Sequence, residues 1–115
     1  MTITNNGINR VRSLFNADLF KAQLGTGTNA PSSTDTALQT PVATTLLTPT
    51  SALADKAVQV THAISTAIGA TTTFSEQEIQ LNSGSTHFNR IVHTGLLKGG
   101  LDEFTYITTI FFKSV

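Results

Sequence analysis

Val58-Gln59-Val60-Thr61-His62-Ala63-Ile64-Ser65-Thr66-Ala67-Ile68 is the stretch on which the fold turns. Val58, Val60, His62, Ile64, Thr66 and Ile68 alternate with Gln59, Thr61, Ala63 and Ser65. A period of two sends successive side chains to opposite faces, which is the pattern of a strand with one buried face. A second strand follows from about Thr71 to Leu81. Asn82-Ser83-Gly84-Ser85 makes a tight turn, and Thr86–His93 returns. A turn centred on Ser83-Gly84 sets Ile79 opposite Phe88, and one shifted by a residue sets Leu81 opposite Phe88. In both registers Ile79, Leu81, Phe88 and Val92 share a face. Lys98-Gly99-Gly100 marks a further turn. The last strand, Glu103–Lys113, carries Phe104, Tyr106, Ile110 and Phe112 on one face and Ile107 and Phe111 on the other. Apolar groups on both faces predict cover on both sides, the second from this chain's helix or from a neighbouring subunit.

Upstream of these strands, Ile8, Val11, Leu14 and Phe15 recur at helical spacing, which predicts a short helix over 6–16 capped by Asn5 or Asn6. Phe20, Ala22 and Leu24 alternate with Lys21 and Gln23 as a short half-buried strand. Gly25 to Asp35 is a run of turn formers and reads as a surface loop, continuing to residue 38. Pro41 and Pro49 bracket Val42–Leu47, an edge strand or extended arm. Thr50 or Ser51 starts a single helical turn through Lys56. The expected fold is therefore mainly β: an antiparallel β-sandwich, jelly-roll-like, with one short N-terminal helix. It forms a single domain over 1–115, with a helical arm at 1–19 and the sandwich at 20–115.

Composition narrows the function. Charged residues are 12% of the 115, about half the ordinary share, and 21 threonines stand in their place. Seven basic and seven acidic residues cancel, so no net field draws the chain to nucleic acid or to an anionic membrane. The absence of cysteine excludes disulfides, thiolate metal sites and thiol nucleophiles. No apolar run approaches a membrane span, and the start shows no signal peptide, so the chain reads as soluble and made in a cytoplasm.

Few residues offer chemistry. Gly25-x-Gly27-x-x-Ala30 follows a strand as a dinucleotide fingerprint would, but Pro31 and a polar run follow where that fingerprint needs a helix and a parallel βαβ unit. Glu76 and Glu78 emerge on one strand face roughly 6–7 Å apart, a glycosidase-like spacing. With no second acidic segment opposite, they read as solvent-facing. His87 and His93 face the same way but lie about 20 Å apart along a strand, too far to hold one ion within a chain. A site shared across a symmetry axis, with one histidine from each subunit, stays open. Arg90 lies on the parity of Phe88 and Val92. It reads either as a stem on a sheet edge with its head in water or as a charge reaching a partner subunit. No catalytic residue, cofactor or metal is expected, and the chain does not read as an enzyme.

Several segments carry a resemblance. In order they are Ile3-Thr4-Asn5-Asn6-Gly7-Ile8-Asn9-Arg10-Val11-Arg12, Leu24-Gly25-Thr26-Gly27-Thr28-Asn29-Ala30-Pro31 and Thr34-Asp35-Thr36-Ala37-Leu38. Thr73-Phe74-Ser75-Glu76-Gln77-Glu78-Ile79 and Ser85-Thr86-His87-Phe88-Asn89-Arg90-Ile91-Val92-His93 come next, and Tyr106-Ile107-Thr108-Thr109-Ile110 closes the series. This order resembles small virion structural proteins of tailed phages, of the tail-fibre-like or head-decoration-like kind. The Gly-Thr-Gly-Thr, Ala-Pro and Asp-Thr-Ala-Leu loop is its most specific part. Where the family carries Gly-Leu-Phe, this chain has Gln80-Leu81-Asn82.

The resemblance implies a particle component that self-associates, with a trimer preferred, and that docks on other virion proteins such as the major capsid or a tail or neck protein. A capsid decoration or a neck or tail adaptor is expected, located in the virion. The alternative is a tail-fibre or receptor-binding component that recognises the host surface. Expected assembly contacts are Phe15, Arg90, Ile107 and Phe111. A low-charge, threonine-covered surface suits a protein surrounded by copies of itself, because like copies repel weakly.

Overall fold

The computed structural model describes residues 2–112. Lys113, where the expected last strand ends, lies outside the described residues. In chain order the elements are α1 (Asn5–Asn16), β1 (Lys21–Gly25), β2 (Thr50–Ala54), β3 (Ala57–Ile64), β4 (Thr72–Leu81), β5 (Thr86–Lys98) and β6 (Phe104–Phe111). The fold is mainly β, as expected. Two antiparallel three-stranded sheets, ordered β1-β4-β5 and β2-β3-β6, face each other across the core. The described residues contain six strands, against the eight of a jelly roll. No helix among them is long and apolar enough to cross a membrane.

The interior has two apolar halves with a polar seam between them. Phe20, Val58, Val60 and Ile79 form one half, with Phe15, Leu81, Ile110 and Phe112 packed against it. Leu24, Ile64 and Phe74 form the other, flanked by Val42, Leu47, Ile68, Phe104 and Tyr106. The seam is a hydrogen-bonded relay. Thr108 Oγ1 donates to Gln77 Oε1 (3.4 Å), and Gln77 Nε2 donates to His62 Nδ1 (3.3 Å). His62 Nε2 donates to the Thr45 carbonyl (3.0 Å). A carbonyl only accepts and Nδ1 receives a proton donor here, so His62 is neutral with its proton on Nε2. Burial accordingly holds its pKa below the ordinary 6.5, against an opposing effect of the Thr45 bond. Nearby, His93 Nδ1 donates to Thr94 O, leaving Nε2 to accept from Tyr106 (2.9 Å). Burial raises the phenol of Tyr106 to about 12.

Several local expectations are corrected. The cap of α1 is Thr4, whose hydroxyl accepts the Gly7 N–H (3.2 Å), because the helix begins one residue earlier than predicted. Thr50–Ala54 is a strand, not a helical turn. The two-residue Asp55-Lys56 turn folds it back on β3, with Ala54 opposite Ala57 and Thr50 opposite Thr61, so tertiary pairing overrides the helical preference of Ala-Leu-Ala. β3 ends at Ile64, and β5 continues past His93 to Lys98.

The largest correction concerns the β4–β5 register. Leu81 pairs with Thr86 and Gln80 with His87, as a turn centred on Ser83-Gly84 requires, but Ile79 pairs with Asn89. Phe88 is therefore an extra, bulged residue, and the parity of β5 inverts beyond it. Val92 lies opposite Glu76, on the other face from Ile79. For the same reason His87 and His93 point to opposite faces: His87 meets Glu78 and His93 meets Tyr106. A second shift lies between Phe74 and Glu76, where Ser75 is passed over. Phe74 and Gln77 both face the core, while Glu76 and Glu78 face outward.

α1 closes one end of the sandwich. The ring of Phe15 lies 5.2 Å from Phe20, 5.2 Å from Phe88 and 5.3 Å from Phe112, so one helical side chain ties β1's approach, the β5 bulge and the end of β6 together. Phe15→Ala is expected to cost about 2 kcal/mol, below the range for a fully buried phenylalanine because the ring is only half-buried. Urea unfolding followed by circular dichroism measures it.

Candidate functional site

The outward face of the β1-β4-β5 sheet holds the only group of ionised side chains buried together among the described residues. Glu76 sits on β4 with Gly25 of β1 on one side and Val92 of β5 on the other, and Glu78 two residues on lies between Gln23 and Arg90. Neither glutamate faces solvent, contrary to expectation: Glu76 is 0% and Glu78 is 3% exposed. The loop after β1 folds back over them.

Glu76 is fully coordinated. Its Oε2 accepts the N–H of Gly27 (2.7 Å) and of Thr40 (2.8 Å), and its Oε1 accepts the N–H of Gln39 (2.9 Å) and the Nε–H of Arg90 (2.8 Å). Burial alone would raise its pKa. The Arg90 bond and the three backbone N–H groups outweigh that and hold it below its ordinary 4.5. Arg90 also extends Nη1 to Asp35 Oδ2 (3.3 Å) and to Ala30 O (3.5 Å). Asp35 Oδ2 accepts the Ser32 N–H (2.9 Å). That bond lowers the Asp35 pKa most, burial opposes it, and Arg90 lowers it further.

Side chains of the loop reinforce this anchor. Gln39 Oε1 accepts the N–H groups of Thr28 and Asn29, each at 3.0 Å, and Ser75 Oγ donates to Gly27 O (2.7 Å). The two glycines are there for space. A Cβ on Gly25 would lie 2.5 Å from Thr40 O, and one on Gly27 would lie 2.5 Å from Glu76 Oε2. Only a backbone without side chains passes this close to a buried carboxylate. The stretch from Gly25 to residue 38, expected as a surface loop, is therefore tied down at both ends, with Gly27 and Leu38 buried and its middle exposed. Next to it, Glu78 Oε2 lies 2.5 Å from His87 Nδ1, and Glu78 Oε1 accepts from Gln80 Nε2 (2.6 Å).

The predicted assembly residues separate into two groups. Arg90 is corrected: its side chain is 3% exposed and its head is not in water, since Glu76 and Asp35 hold it within the chain. Phe15 is likewise occupied inside, in the aromatic cluster. Ile107 and Phe111 are 63% and 65% exposed, on the face of β6 turned away from the core; α1 reaches only the Phe111 end, where Ile8 and Val11 line one apolar groove with it. Reading the sequence missed the meeting of Glu76, Arg90 and Asp35. Its one available signal was the Gly-x-Gly spacing directly after a strand.

As chemistry, the arrangement binds rather than reacts. A general acid or base needs a carboxyl oxygen open to a substrate proton. Both Glu76 oxygens each accept two bonds from inside the chain, and the loop backbone lies over them. A groove of about 530 Å³ lies elsewhere, between α1 and the Asp55-Lys56 turn. No cluster of three or more metal-ligating side chains occurs among the described residues. Comparison with family models, curated proteins and solved structures finds no match.

Glu76→Gln is expected to destabilise the chain by about 3–5 kcal/mol, because it leaves the Arg90 charge buried beside Asp35 alone. The folded pKa of Glu76 lies below its unfolded value, so its contribution is complete above pH 4.5 and is lost as pH falls through the folded value. As pH falls below 4.5 the variant should therefore lose less stability than the parent, keeping the loss that Asp35 carries, as thermal melts across the acid range would show. Gly25→Ala should cost about 1–3 kcal/mol, since the opposing atom is a backbone carbonyl that cannot step aside. Urea titration measures this, with Gly100→Ala, which meets open space, as control.

Proposed function

We propose that the chain is a non-enzymatic virion structural protein of a tailed phage, acting by self-assembly and docking on the particle as a capsid decoration or a neck or tail adaptor. One observation carries this reading. Four of the six segments on which the resemblance rests, 24–31, 34–38, 73–79 and 85–93, are far apart in sequence, yet they meet around Glu76 through Gly27, Asp35 and Arg90. The shared pattern thus describes one three-dimensional unit, and that unit shapes a loop instead of presenting a reactive group.

Two further features agree with it. The ionisable groups of the outer sheet face are spent on internal contacts, while apolar side chains at Ile107 and Phe111 remain mostly exposed. Single apolar residues on a surface are ordinary, but here two occupy one face of one strand whose other face supplies the core. Principal extents of 49 × 28 × 24 Å fit a compact fitting on a particle and not a fibre shaft.

Phage particles examined by cryo-electron microscopy and quantitative mass spectrometry test the reading. Hundreds of copies on the head would make it a decoration, and a handful would make it a neck or tail part. Absence from the particle overturns it. Adsorption of the purified chain to host cells, with block of infection, would move the assignment to the receptor-binding alternative. Phe111→Ala should change stability by less than about 1 kcal/mol, since its side chain is mostly exposed, and should weaken association of copies far more, as sedimentation would show.

A further inference from the structure

Four strand edges border the two sheets, and three are guarded. Along β1 runs the 41–47 arm, bridging Ala22 to Leu47 and Gly25 to Pro41. Beside β2 lies α1, with Arg12 donating to Ala54 O and Ser51 donating to Asn16 O (3.1 Å). β5 is interrupted by two register shifts, which bend it out of a regular ladder. Bulges, charges and covering segments are the devices by which edge strands avoid pairing with other chains.

β6 has none of them. Its eight residues, Phe104-Thr105-Tyr106-Ile107-Thr108-Thr109-Ile110-Phe111, contain no charge, proline or glycine, and they pair with β3 from Ala57–Phe111 to Ile64–Phe104 without a shift. Every second residue of such a strand aims its N–H and C=O away from its neighbour. Among the described residues no hydrogen bond reaches that outer side. Eight residues is longer than a typical strand, so this is a full-length, regular and unpaired edge.

We propose that this edge takes the β6 strand of a second copy of the chain, antiparallel about a twofold axis, so that two three-stranded sheets become one of six. The register is centred on Thr108, the middle of the uncharged run 104–112. Ile107 of each copy then faces Thr109 of the other, and Phe111 faces Thr105, all on the outer face. β-branched and aromatic neighbours of this kind are favourable cross-strand pairs. The sequence places an acid, Glu103, ahead of the uncharged run and a base, Lys113, behind it, a polarity that favours antiparallel over parallel pairing of identical chains. With seven positive and seven negative side chains, two copies approach without net repulsion. The inference rests on the assembly reading and deepens it, and it replaces the threefold contact suggested by the resemblance with a twofold one.

Sedimentation of the purified full chain over a range of concentrations tests it. The parent should be a dimer that dissociates on dilution. Ile107→Lys, at an exposed position, should raise the dissociation constant about tenfold or more, because it sets two like charges beside the axis, while circular dichroism stays unchanged and the melting temperature equals that of the parent diluted to the monomer. The double variant Ile107→Lys, Thr109→Glu should restore the dimer, because in this register each introduced base faces the introduced acid of the other copy. Hydrogen exchange on the unmodified chain gives a second measure: amides of β6 should gain protection with concentration, and those of β2 should not. A monomer at every concentration, a trimer, a dimer indifferent to Ile107→Lys, a double variant that stays dissociated, or β6 exchange independent of concentration would overturn the proposal. None of these results depends on the particle, so a trimer formed elsewhere would remove the edge contact and leave the virion reading standing. Absence from particles would do the reverse.

Discussion

A carboxylate without solvent must find donors for its oxygens, and the need to satisfy Glu76 shapes much of this molecule. Its four partners come from the Gly27 turn, the Gln39-Thr40 segment and Arg90 on the neighbouring strand, so one side chain fixes where a long connection leaves the sheet and where it returns. Arg90 passes the constraint to Asp35 and the Ala30 carbonyl, and so draws in the middle of that connection. Paired charges in an interior add little net stability over an apolar replacement, because desolvation offsets most of their attraction. What the cluster selects here is one loop conformation among the many that a glycine- and threonine-rich segment would otherwise sample.

A second constraint acts inside the sandwich. His62 on β3 and Gln77 on β4 reach across from opposite sheets, and each polar atom of the relay has a defined role: His62 donates at one ring nitrogen and accepts at the other. A sheet displaced by one residue would bury these groups without partners, at the cost that unsatisfied polar atoms carry in an apolar interior. The apolar halves on either side supply the driving force for packing, and the seam supplies the alignment. Thr45 joins both roles. Its carbonyl receives His62, while its hydroxyl accepts the Leu24 N–H (2.8 Å) and donates to Val42 O (2.7 Å), which holds the 41–47 arm on β1.

The strands themselves were largely legible because a period of two survives in isolation. The stretch beginning at Val58 reads as a strand from its own residues, as do the β4–β5 turn and the alternation of β6. The helix read from Ile8, Val11, Leu14 and Phe15 is equally local, although Val11 and Leu14 stay exposed. The candidate site was not legible, for two reasons. A bulge moves every later side chain to the other face, and nothing in Thr86-His87-Phe88-Asn89 announces that Phe88 is the residue to be set aside; the partner strand and the ring of Phe15 decide it. Burial of Glu76 likewise depends on a loop that returns from residue 40, and a polar, glycine-rich loop looks the same in sequence whether it hangs in water or folds over a charge.

By itself, then, the sequence determined the class: a neutral, cysteine-free, threonine-rich chain of alternating strands with one amphipathic helix. Composition and periodicity are properties of neighbouring residues, and neighbouring residues suffice to read them. Only the tertiary structure decided which faces those strands present, that Arg90 answers Glu76 inside the chain, and that β6 is the edge left unguarded among the described residues. Each of these depends on which segment lies beside which, and that is settled by satisfying buried charges, relay hydrogen bonds and bulged registers together, over separations that no local pattern spans.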